Sequence, residues 1–273
     1  MTDGDTVQRV KLTLAYDGEP FRGWQSQPEG NSVQDAVELA ISGITEKAVR
    51  IHGAGRTDAG VHALGQVAHF DLTTPCSLDE DAWRRALNAK LPRRIRVVKA
   101  QIVDTEFHAR YSAEGKYYRY RIIESPVLMP QDYARAWHQR GPLDRSIMIA
   151  VCAVLQGERD FSAFCVNRGD GTDRKPGDGG NVRNIHSIRL KEQKLPCGSV
   201  EITIHVHGNG FLYRMVRMLV GTIVRCGQGK MTIAKVQELF DQVDDTAASE
   251  DFEKAPLCAP PDGLTLVEVD YPE

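Results

Sequence analysis

Long hydrophobic runs are missing from this sequence of 273 residues: no apolar run approaches 18 residues, and Met1–Asp5 is acidic. These absences argue against a membrane span and a secretory signal. Six cysteines are scattered without a C-x-x-C pair, so neither a zinc site nor a disulfide framework is predicted. His205 and His207 share a predicted strand face, but no third metal ligand accompanies them. We therefore expect a cytoplasmic protein with reduced thiols and with no metal and no membrane partner.

The net charge is also low, at −3 for the whole chain, and by itself it does not suggest a nucleic-acid partner. The charge is unevenly distributed, however. Residues 238–273 contain eleven Asp and Glu against one lysine, a net of −10, so residues 1–237 carry +7. Residues 202–237 contain no acidic residue. Basic segments of this kind fit either a polyanion bound through its phosphates or a solvated surface.

Apolar periodicity and turn signals in the first hundred residues predict the element order β-α-β-β-α-β, which is that of a ferredoxin-like half. Ser32 and Asp35 are spaced as the N-cap and the N3 acid of a helix, and Ser77-x-x-Glu80 forms a second capping box. The predicted strands are 10–16, 48–53, 66–72 and 95–103, and the predicted helices run from 32 to 44 and from 77 to just before Pro92.

A second cycle of strands and helices begins near residue 115, so the sequence predicts an α+β fold of two ferredoxin-like or RRM-like halves with antiparallel sheets. We expect an N-terminal domain over 1–108 and a C-terminal domain over 109–273. In the strand 116–124, alternate residues face opposite sides, with Tyr118 and Tyr120 on one and Tyr117 on the other. The other predicted strands are 182–190, 200–207 and 264–269, and the predicted helices are 143–155, 210–226 and 232–243.

The best candidate for chemistry is the segment 53–63, which reads Gly-Ala-Gly-Arg-Thr-Asp-Ala-Gly-Val-His-Ala. Its glycines and small residues let the backbone turn sharply and approach a ligand closely. Asp58 follows two residues after Arg56, which can orient the carboxylate or hold a phosphate. A carboxylate in this setting is a candidate nucleophile or base. The same residues also suit a simple turn in which Asp58 caps backbone N–H groups, and the pattern alone does not exclude it.

A second glycine-rich segment lies between Asn167 and Asn181, with five glycines among polar and basic residues. This composition predicts a surface loop. A phosphate cradle would need G-x-x-x-x-G-K-[ST] between a strand and a helix, and this segment has neither that motif nor that context. A polyanion contact through its basic side chains stays open.

The nine residues Gly55–Ala63 resemble the active-site signature of tRNA pseudouridine synthases of the TruA type. That signature is highly specific, and it favours the catalytic interpretation of Asp58. Other segments resemble the same family in the same order, from about residue 10 to the C-terminus. They are Tyr16–Gly18, Gly23–Gln25, Ser32–Gln34, Gln66–Phe70, Phe107–Arg110, Lys116–Tyr120, Asp160–Phe161, Phe211–Gly221, Gly263–Leu264 and Val269–Tyr271.

This resemblance implies an enzyme that isomerises uridine to pseudouridine at positions 38, 39 and 40 of the tRNA anticodon stem-loop. It also implies a homodimer, two α+β halves on either side of a central basic cleft, and no metal or organic cofactor. Isomerisation breaks the N1–C1′ bond, turns the uracil and joins C5 to C1′. No electron is exchanged and no second substrate enters, so the chemistry itself calls for no redox cofactor.

The resemblance also implies roles for five residues. Asp58 is the nucleophile or base, and Arg217 matches the arginine that pairs with this aspartate. Tyr118 matches the active-site tyrosine, whose ring stacks on the uracil, and Arg56 resembles the arginine that helps to extract the target base. Leu264 is similar to a leucine that lines the uracil pocket. From pattern alone, Arg217 also fits a solvated helix face, and Tyr118 and Leu264 also fit the core.

Two other functions compete with the isomerase. A non-catalytic RNA-binding protein could use the same fold, but it would not need Asp58, Tyr118 and Arg217 to be intact. A retaining glycosidase would need a second carboxylate across the sugar, and none stands out in the sequence. The matched residues therefore favour the isomerase.

Overall fold

The computed structural model describes residues 7–74, 76–167, 179–245 and 253–272. The chain divides into two compact units, which we call unit 1 (Met1–Glu114 and Thr265–Glu273) and unit 2 (Gly115–Leu264). The strands are β1 (Gln8–Tyr16), β2 (His52–Gly53), β3 (His62–Leu72), β4 (Ile95–Val103), β5 (Gly115–Glu124), β6 (Trp137–Gln139), β7 (Gly157–Asp160), β8 (Val182–Lys194), β9 (Val200–Gly208) and β10 (Leu264–Asp270). The helices are α1 (Val33–Thr45), α2 (Glu80–Lys90), α3 (Arg145–Val154), α4 (Met215–Gly227) and α5 (Ile233–Asp245). The fold is therefore mixed α+β, as predicted.

The sheet of unit 1 has the antiparallel strand order β4-β1-β3, and β2 is antiparallel to β3. Strand β1 alternates strictly, with Val10, Leu12, Leu14 and Tyr16 buried on one face. This period of two is what a strand with one buried face requires. The order of elements through residue 103 is the β-α-β-β-α-β order predicted from the sequence.

The last strand of the chain belongs to unit 1. Thr265 and Leu266 of β10 pair in parallel with His62 and Ala63 of β3. These units differ from the predicted domains 1–108 and 109–273, because residues 109–114 and the C-terminal strand group with the first unit. Prediction along the chain treats neighbours in sequence as neighbours in space, so it does not detect a strand that returns after a whole unit.

The helices of unit 1 begin at side-chain caps. In α1, the backbone N of Asp35 donates to Ser32 Oγ at 3.0 Å and the backbone N of Ser32 donates to Asp35 Oδ2 at 3.2 Å, which confirms the predicted capping box. The capping box predicted at Ser77 is wrong. Helix α2 is capped by Asp79, whose Oδ1 accepts from the backbone N of Ala82 at 2.7 Å. Asp and Ser cap about equally well, so the sequence alone did not distinguish the two starts.

Three histidines pack together in unit 1. The rings of His52 and His108 lie 5.2 Å and 4.7 Å from that of His69. The Nδ1 of His69 accepts a hydrogen bond from the backbone N of Ala109 at 3.2 Å, so this nitrogen carries no proton. Burial, together with the nearby positive charge of Arg9, lowers the pKa of His69 to about 4. The imidazole is therefore neutral in the folded protein near pH 7.

The sheet of unit 2 has the antiparallel order β5-β9-β8-β7, and β6 is parallel to β5. The predicted alternation of β5 is confirmed, since Tyr118, Tyr120 and Ile122 are buried and Tyr117 is exposed. On the exposed face, the ring of Tyr117 stacks on that of His207 with centroids 3.7 Å apart and an interplanar angle of 7°.

Helix α4 of unit 2 differs from its prediction. It begins at Met215 rather than near residue 210, and it follows Arg214, which has a φ of 59°. Only Arg217 and Arg225 of this helix escape full burial. The solvated helix face that the pattern alone allows for Arg217 is therefore narrow, because α4 is covered on almost every side.

The cover over α4 includes the chain segment that leads to β10. A Cβ on Gly221 would lie 2.0 Å from the carbonyl oxygen of Leu257. The backbone N of Ala259 also donates to the carbonyl oxygen of Arg217 at 3.0 Å. This segment lies thirty or more residues away in sequence, so the helical pattern by itself gave no sign of it.

Several element boundaries also differ from prediction. The predicted strand 48–53 is reduced to the two residues of β2, and β8 continues to Lys194. Strands β6 and β7 were not predicted, because three or four residues are too few to show a period. Of the predicted glycine-rich loop, residues 168–178 lie outside the described part of the chain.

The lowered pKa of His69 predicts acid sensitivity. In the unfolded chain this group titrates near 6.5 and in the folded protein near 4, so between these values the unfolded state binds more protons. Stability is therefore expected to fall as the pH drops from 6.5 to 4, by at most about 1.4 kcal/mol per pH unit from this group. Urea unfolding of wild type and His69→Asn at pH 7, 6 and 5 tests this. The variant should lose less stability over that range, and equal losses in both proteins would contradict the prediction.

Candidate active site

The predicted catalytic loop spans residues 54–61 and joins β2 to β3 in unit 1. The backbone N of Val61 donates to the carbonyl oxygen of Asp58 at 3.1 Å, and Gly60 has a φ of 81°. Residues 58–61 therefore close a tight turn. Asp58 at the start of this turn is half-buried, whereas Arg56 is exposed. The loop displays a carboxylate and a guanidinium on unit 1.

The segment between β1 and α1 lies directly against this loop. The backbone N of Trp24 donates to the carbonyl oxygen of Thr57 at 3.0 Å. Gly23 has a φ of 90°, and a Cβ there would lie 2.6 Å from the same oxygen. A Cβ on Gly18 would lie 2.0 Å from the carbonyl oxygen of Val61. The two backbones approach so closely that only glycine fits at these two positions.

Buried polar side chains hold the first half of the loop. The hydroxyls of Tyr16 and Thr57 share a hydrogen bond of 2.8 Å, and Gln66 Nε2 donates to the carbonyl oxygen of Gly55 at 2.9 Å. Burial raises the pKa of Tyr16 to about 12, although its hydrogen bond with Thr57 opposes that rise. The phenol is therefore protonated near pH 7.

A second polar group holds the exit of the loop. The Nδ1 of His62 lies 3.2 Å from Asp17 Oδ1 and accepts a hydrogen bond from the backbone N of Gly18 at 3.1 Å. Asp17 Oδ2 in turn accepts from Arg94 Nη1 at 2.9 Å. These contacts connect the end of β1 to the start of β3 and to the residue that precedes β4.

Arg217 lies in unit 2 and is anchored to the main chain. Its Nε donates to the carbonyl oxygen of Ala259 at 2.7 Å, and the backbone N of Ala259 donates back to Arg217 at 3.0 Å. Since both groups of Ala259 bond the same residue, the stem of the arginine side chain has a defined direction.

The other predicted site residues of unit 2 are buried. The ring of Tyr118 meets that of Phe211 edge-on, with centroids 5.1 Å apart. Leu264 begins β10 after a 3₁₀ turn at Pro261–Gly263. The Tyr120 hydroxyl donates to the carbonyl oxygen of Pro260 at 2.7 Å. The segment 259–264 therefore links Arg217, Tyr120 and Leu264 within this unit.

The structure thus distributes the five predicted residues over both units, with Asp58 and Arg56 on one loop of unit 1. Sequence reasoning missed the supports of that loop, namely Tyr16 and Gln66 on its inner side and His62 at its exit. His62 lies inside the nine-residue signature and Tyr16 ends an alternating strand, so a signal existed for both. Their partners in space, however, are separated by up to 45 residues along the chain.

The described ranges 7–74, 76–167, 179–245 and 253–272 contain neither a metal site nor a membrane-spanning helix. No group of three or more His, Cys, Asp or Glu is positioned there to hold a metal ion. In the same ranges, no helix is both long and apolar enough to cross a bilayer. Five cysteines there are free thiols, namely Cys76, Cys152, Cys165, Cys226 and Cys258.

Comparison with known proteins defines the class. The family model described as tRNA pseudouridine synthase matches residues 13–112 and 151–272, which include the Asp58 loop and α4. The chain belongs to the tRNA pseudouridine synthase family. It is therefore an isomerase that acts on uridine in tRNA.

Three relatives that align with nearly the whole chain narrow the class further. Each of them is named tRNA pseudouridine synthase A. The protein from Akkermansia muciniphila is 44% identical over 98% of this chain and 96% of its own length. Those from Maridesulfovibrio salexigens and Brevibacillus brevis are 41% and 40% identical, over 98% and 97% of this chain and 92% and 100% of their own lengths. The resemblance stated from the sequence is thereby confirmed.

A solved structure entitled Crystal Structure of a Cbf5-Nop10-Gar1 Complex aligns with 93% of this chain and 69% of that chain. The sequence identity is 12% and the TM-score is 0.31. This TM-score is too low to establish a shared fold.

The close approach at Gly18 predicts a large effect of a small substitution. Gly18→Ala places a methyl group against the carbonyl oxygen of Val61, so we expect a loss of about 1–3 kcal/mol in the free energy of unfolding. Gly43→Ala in α1 is the matched control, because its Cβ meets only the flexible end of Lys90 and alanine favours a helix. Chemical denaturation measures both variants. Equal stabilities for the two would contradict the close approach described here.

Proposed function

We propose that this synthase isomerises uridines 38, 39 and 40 of the tRNA anticodon stem-loop, with Asp58 as its nucleophile or base. The names of the relatives support tRNA as the substrate, and the resemblance of residues 55–63 to the TruA-type signature supports these three positions. The observation that carries the role of Asp58 is the braced turn at 58–61. It presents a carboxylate on a loop whose backbone is fixed from both sides.

The reaction defines what the site must do. The N1–C1′ bond breaks, the uracil turns, and the C5–C1′ bond forms. C5 then releases its proton and N1 takes up a proton, so that the product is an isomer of the substrate. A carboxylate can start this sequence by attacking C6 of the uracil, by attacking C1′, or by removing a proton from C2′. Each route requires that the carboxylate of Asp58 be held in a defined position beside an extruded nucleotide.

The two arginines suit different steps. Arg56 is exposed and can extend into the space that the extruded nucleotide leaves, where unstacking costs a few kcal/mol. Arg217 is proposed as the partner that orients the catalytic carboxylate. Its anchorage on Ala259 supports this role, because it gives the guanidinium a defined direction and a guanidinium pairs with a carboxylate in a fixed geometry.

Tyr118 and Leu264 are proposed to bind the uracil. The ring of Tyr118 would stack on the base, and the side chain of Leu264 would line the pocket. Both residues are nearly buried, which suits a narrow apolar site for a flat pyrimidine.

The resemblance supplies the remaining parts of the proposal. Each of the two units would be a ferredoxin-like half, with the Asp58 loop in the first and Tyr118 and Arg217 in the second, and the enzyme would bind RNA in a basic cleft. The antiparallel sheet of each unit and the absence of acidic residues from 202–237 support this arrangement. The enzyme would be a cytoplasmic homodimer that works without a metal or organic cofactor.

A single substitution tests the role of Asp58. Asp58→Asn removes the charge at nearly constant size, so we expect turnover to fall at least about a hundredfold while tRNA affinity stays within about threefold. The measurement is tritium release from tRNA transcripts that carry uridine tritiated at C5, since that hydrogen leaves when C5 bonds to C1′. Transcripts with cytidine at 38, 39 and 40 should release none.

Asp81→Asn is the matched control, because Asp81 lies in the same unit, is exposed at the start of α2 and pairs with Arg84 and Arg85 of that helix. It should turn over like wild type. Full activity of Asp58→Asn would exclude Asp58 as the nucleophile or base. A wild-type protein that bound tRNA but released no tritium would favour the non-catalytic RNA-binding alternative.

A further inference from the structure

Thr57 immediately precedes Asp58, so whatever fixes Thr57 also fixes the backbone that carries the carboxylate. The carbonyl oxygen of Thr57 accepts from the backbone N of Trp24 at 3.0 Å. Its side-chain hydroxyl shares a hydrogen bond of 2.8 Å with the hydroxyl of Tyr16. Thr57 is therefore held by its main chain and by its side chain, from two different parts of unit 1.

The hydrogen bond between Tyr16 and Thr57 is shielded from water. Tyr16 is 4% exposed, Thr57 is 7% exposed, and neighbouring Gln66 is not exposed. Gln66 also fixes the backbone of the loop, because its Nε2 donates a hydrogen bond to the carbonyl oxygen of Gly55. A buried hydroxyl that loses its partner cannot bond water instead, so displacement of Thr57 is penalised.

We propose that Tyr16 is a positioning residue of the isomerase, whose hydroxyl holds Thr57 and thereby sets the place of the Asp58 carboxylate. The proposal rests on the proposed role of Asp58. Tyr16 acts through Thr57 and does not itself meet the substrate. A displacement of about 1 Å of a reacting group can cost about a hundredfold in rate, so a single hydroxyl at this place can control turnover.

The ring of Tyr16 has a separate task, which makes the hydroxyl testable by itself. The ring lies 6.3 Å from that of Trp24, centroid to centroid, and packs in the core of unit 1. Tyr16→Phe keeps this packing and removes only the hydroxyl. The expected result is a kcat that is about ten- to a hundredfold lower, with a KM for tRNA within about twofold of wild type.

A matched control separates positioning from general stability. The hydroxyl of Tyr271, which follows β10 in the same unit, donates to the carbonyl oxygen of Ala109 at 2.6 Å, and Ala109 is not part of the Asp58 loop. Tyr271→Phe therefore also removes one tyrosine hydrogen bond, and its melting temperature should fall by a similar amount. Its kcat should remain at the wild-type value. Equal losses of kcat in both variants would mean that Tyr16 matters only for stability, and the proposal would be overturned.

Changes at Thr57 test the route from Tyr16 to Asp58. Thr57→Val removes the same hydrogen bond from its other end, so its kcat should fall by the same factor as that of Tyr16→Phe. The double variant Tyr16→Phe/Thr57→Val should fall no further, because the two residues act through one bond. Thr57→Ser keeps a hydroxyl and should retain most of the rate. Multiplicative losses in the double variant would contradict the proposal.

A readout that does not depend on turnover completes the test. Amide hydrogen exchange of the peptide that covers residues 53–63 should be faster in Tyr16→Phe than in wild type and unchanged in Tyr271→Phe. If exchange and kcat of Tyr16→Phe both match wild type, Tyr16 does not position the loop. If wild type converts no uridine, the proposed function itself fails, and the exchange measurement still decides whether Tyr16 fixes the loop.

Discussion

One constraint governs the candidate active site: the backbone between β1 and α1 passes so close to the Asp58 loop that no side chain fits between them. Gly18 and Gly23 are the points of contact, against the carbonyl oxygens of Val61 and Thr57. The loop itself is short and partly exposed, and it has no hydrophobic cluster of its own. Its shape is therefore imposed by neighbours, which is how a rigid scaffold positions reactive groups carried on a loop.

This constraint explains which features could be predicted from the sequence. Strand β4 and the capping box of α1 were predicted accurately, because local period and local side chains determine them. The Asp58 loop was found through its specific signature. The supports of the loop were not found, since Tyr16 and Thr57 are 41 residues apart and nothing local connects them.

The errors have the same physical origin. The cover of helix α4 was not predicted, because the segment around Leu257 and Ala259 that supplies it follows much later in the chain. The start of α2 was misplaced because two neighbouring residues both make good caps. Tertiary burial and the choice between equivalent caps depend on the assembled unit, and one sequence does not carry that information locally.

The two arginines with proposed roles, Arg56 and Arg217, differ in how much order they already have. Arg217 is bonded to the main chain of Ala259 before any substrate arrives, so little side-chain entropy remains to be lost. Arg56 is exposed and must be ordered when it meets RNA. An anchored guanidinium suits a fixed partner such as a carboxylate, whereas an exposed one suits a partner that moves, such as a nucleotide leaving its stack.

The parallel pairing of β10 with β3 has a consequence for synthesis on the ribosome. Thr265 and Leu266 complete the sheet at His62 and Ala63, the residues where the Asp58 loop rejoins it. During translation these residues are synthesised only after all of Gly115–Leu264. Until then, the N-terminal part of unit 1 lacks strand β10. The loop acquires its full support only after the whole of Gly115–Leu264 has been synthesised, and a chain that terminated before Thr265 would carry the signature without the strand that pairs beside it.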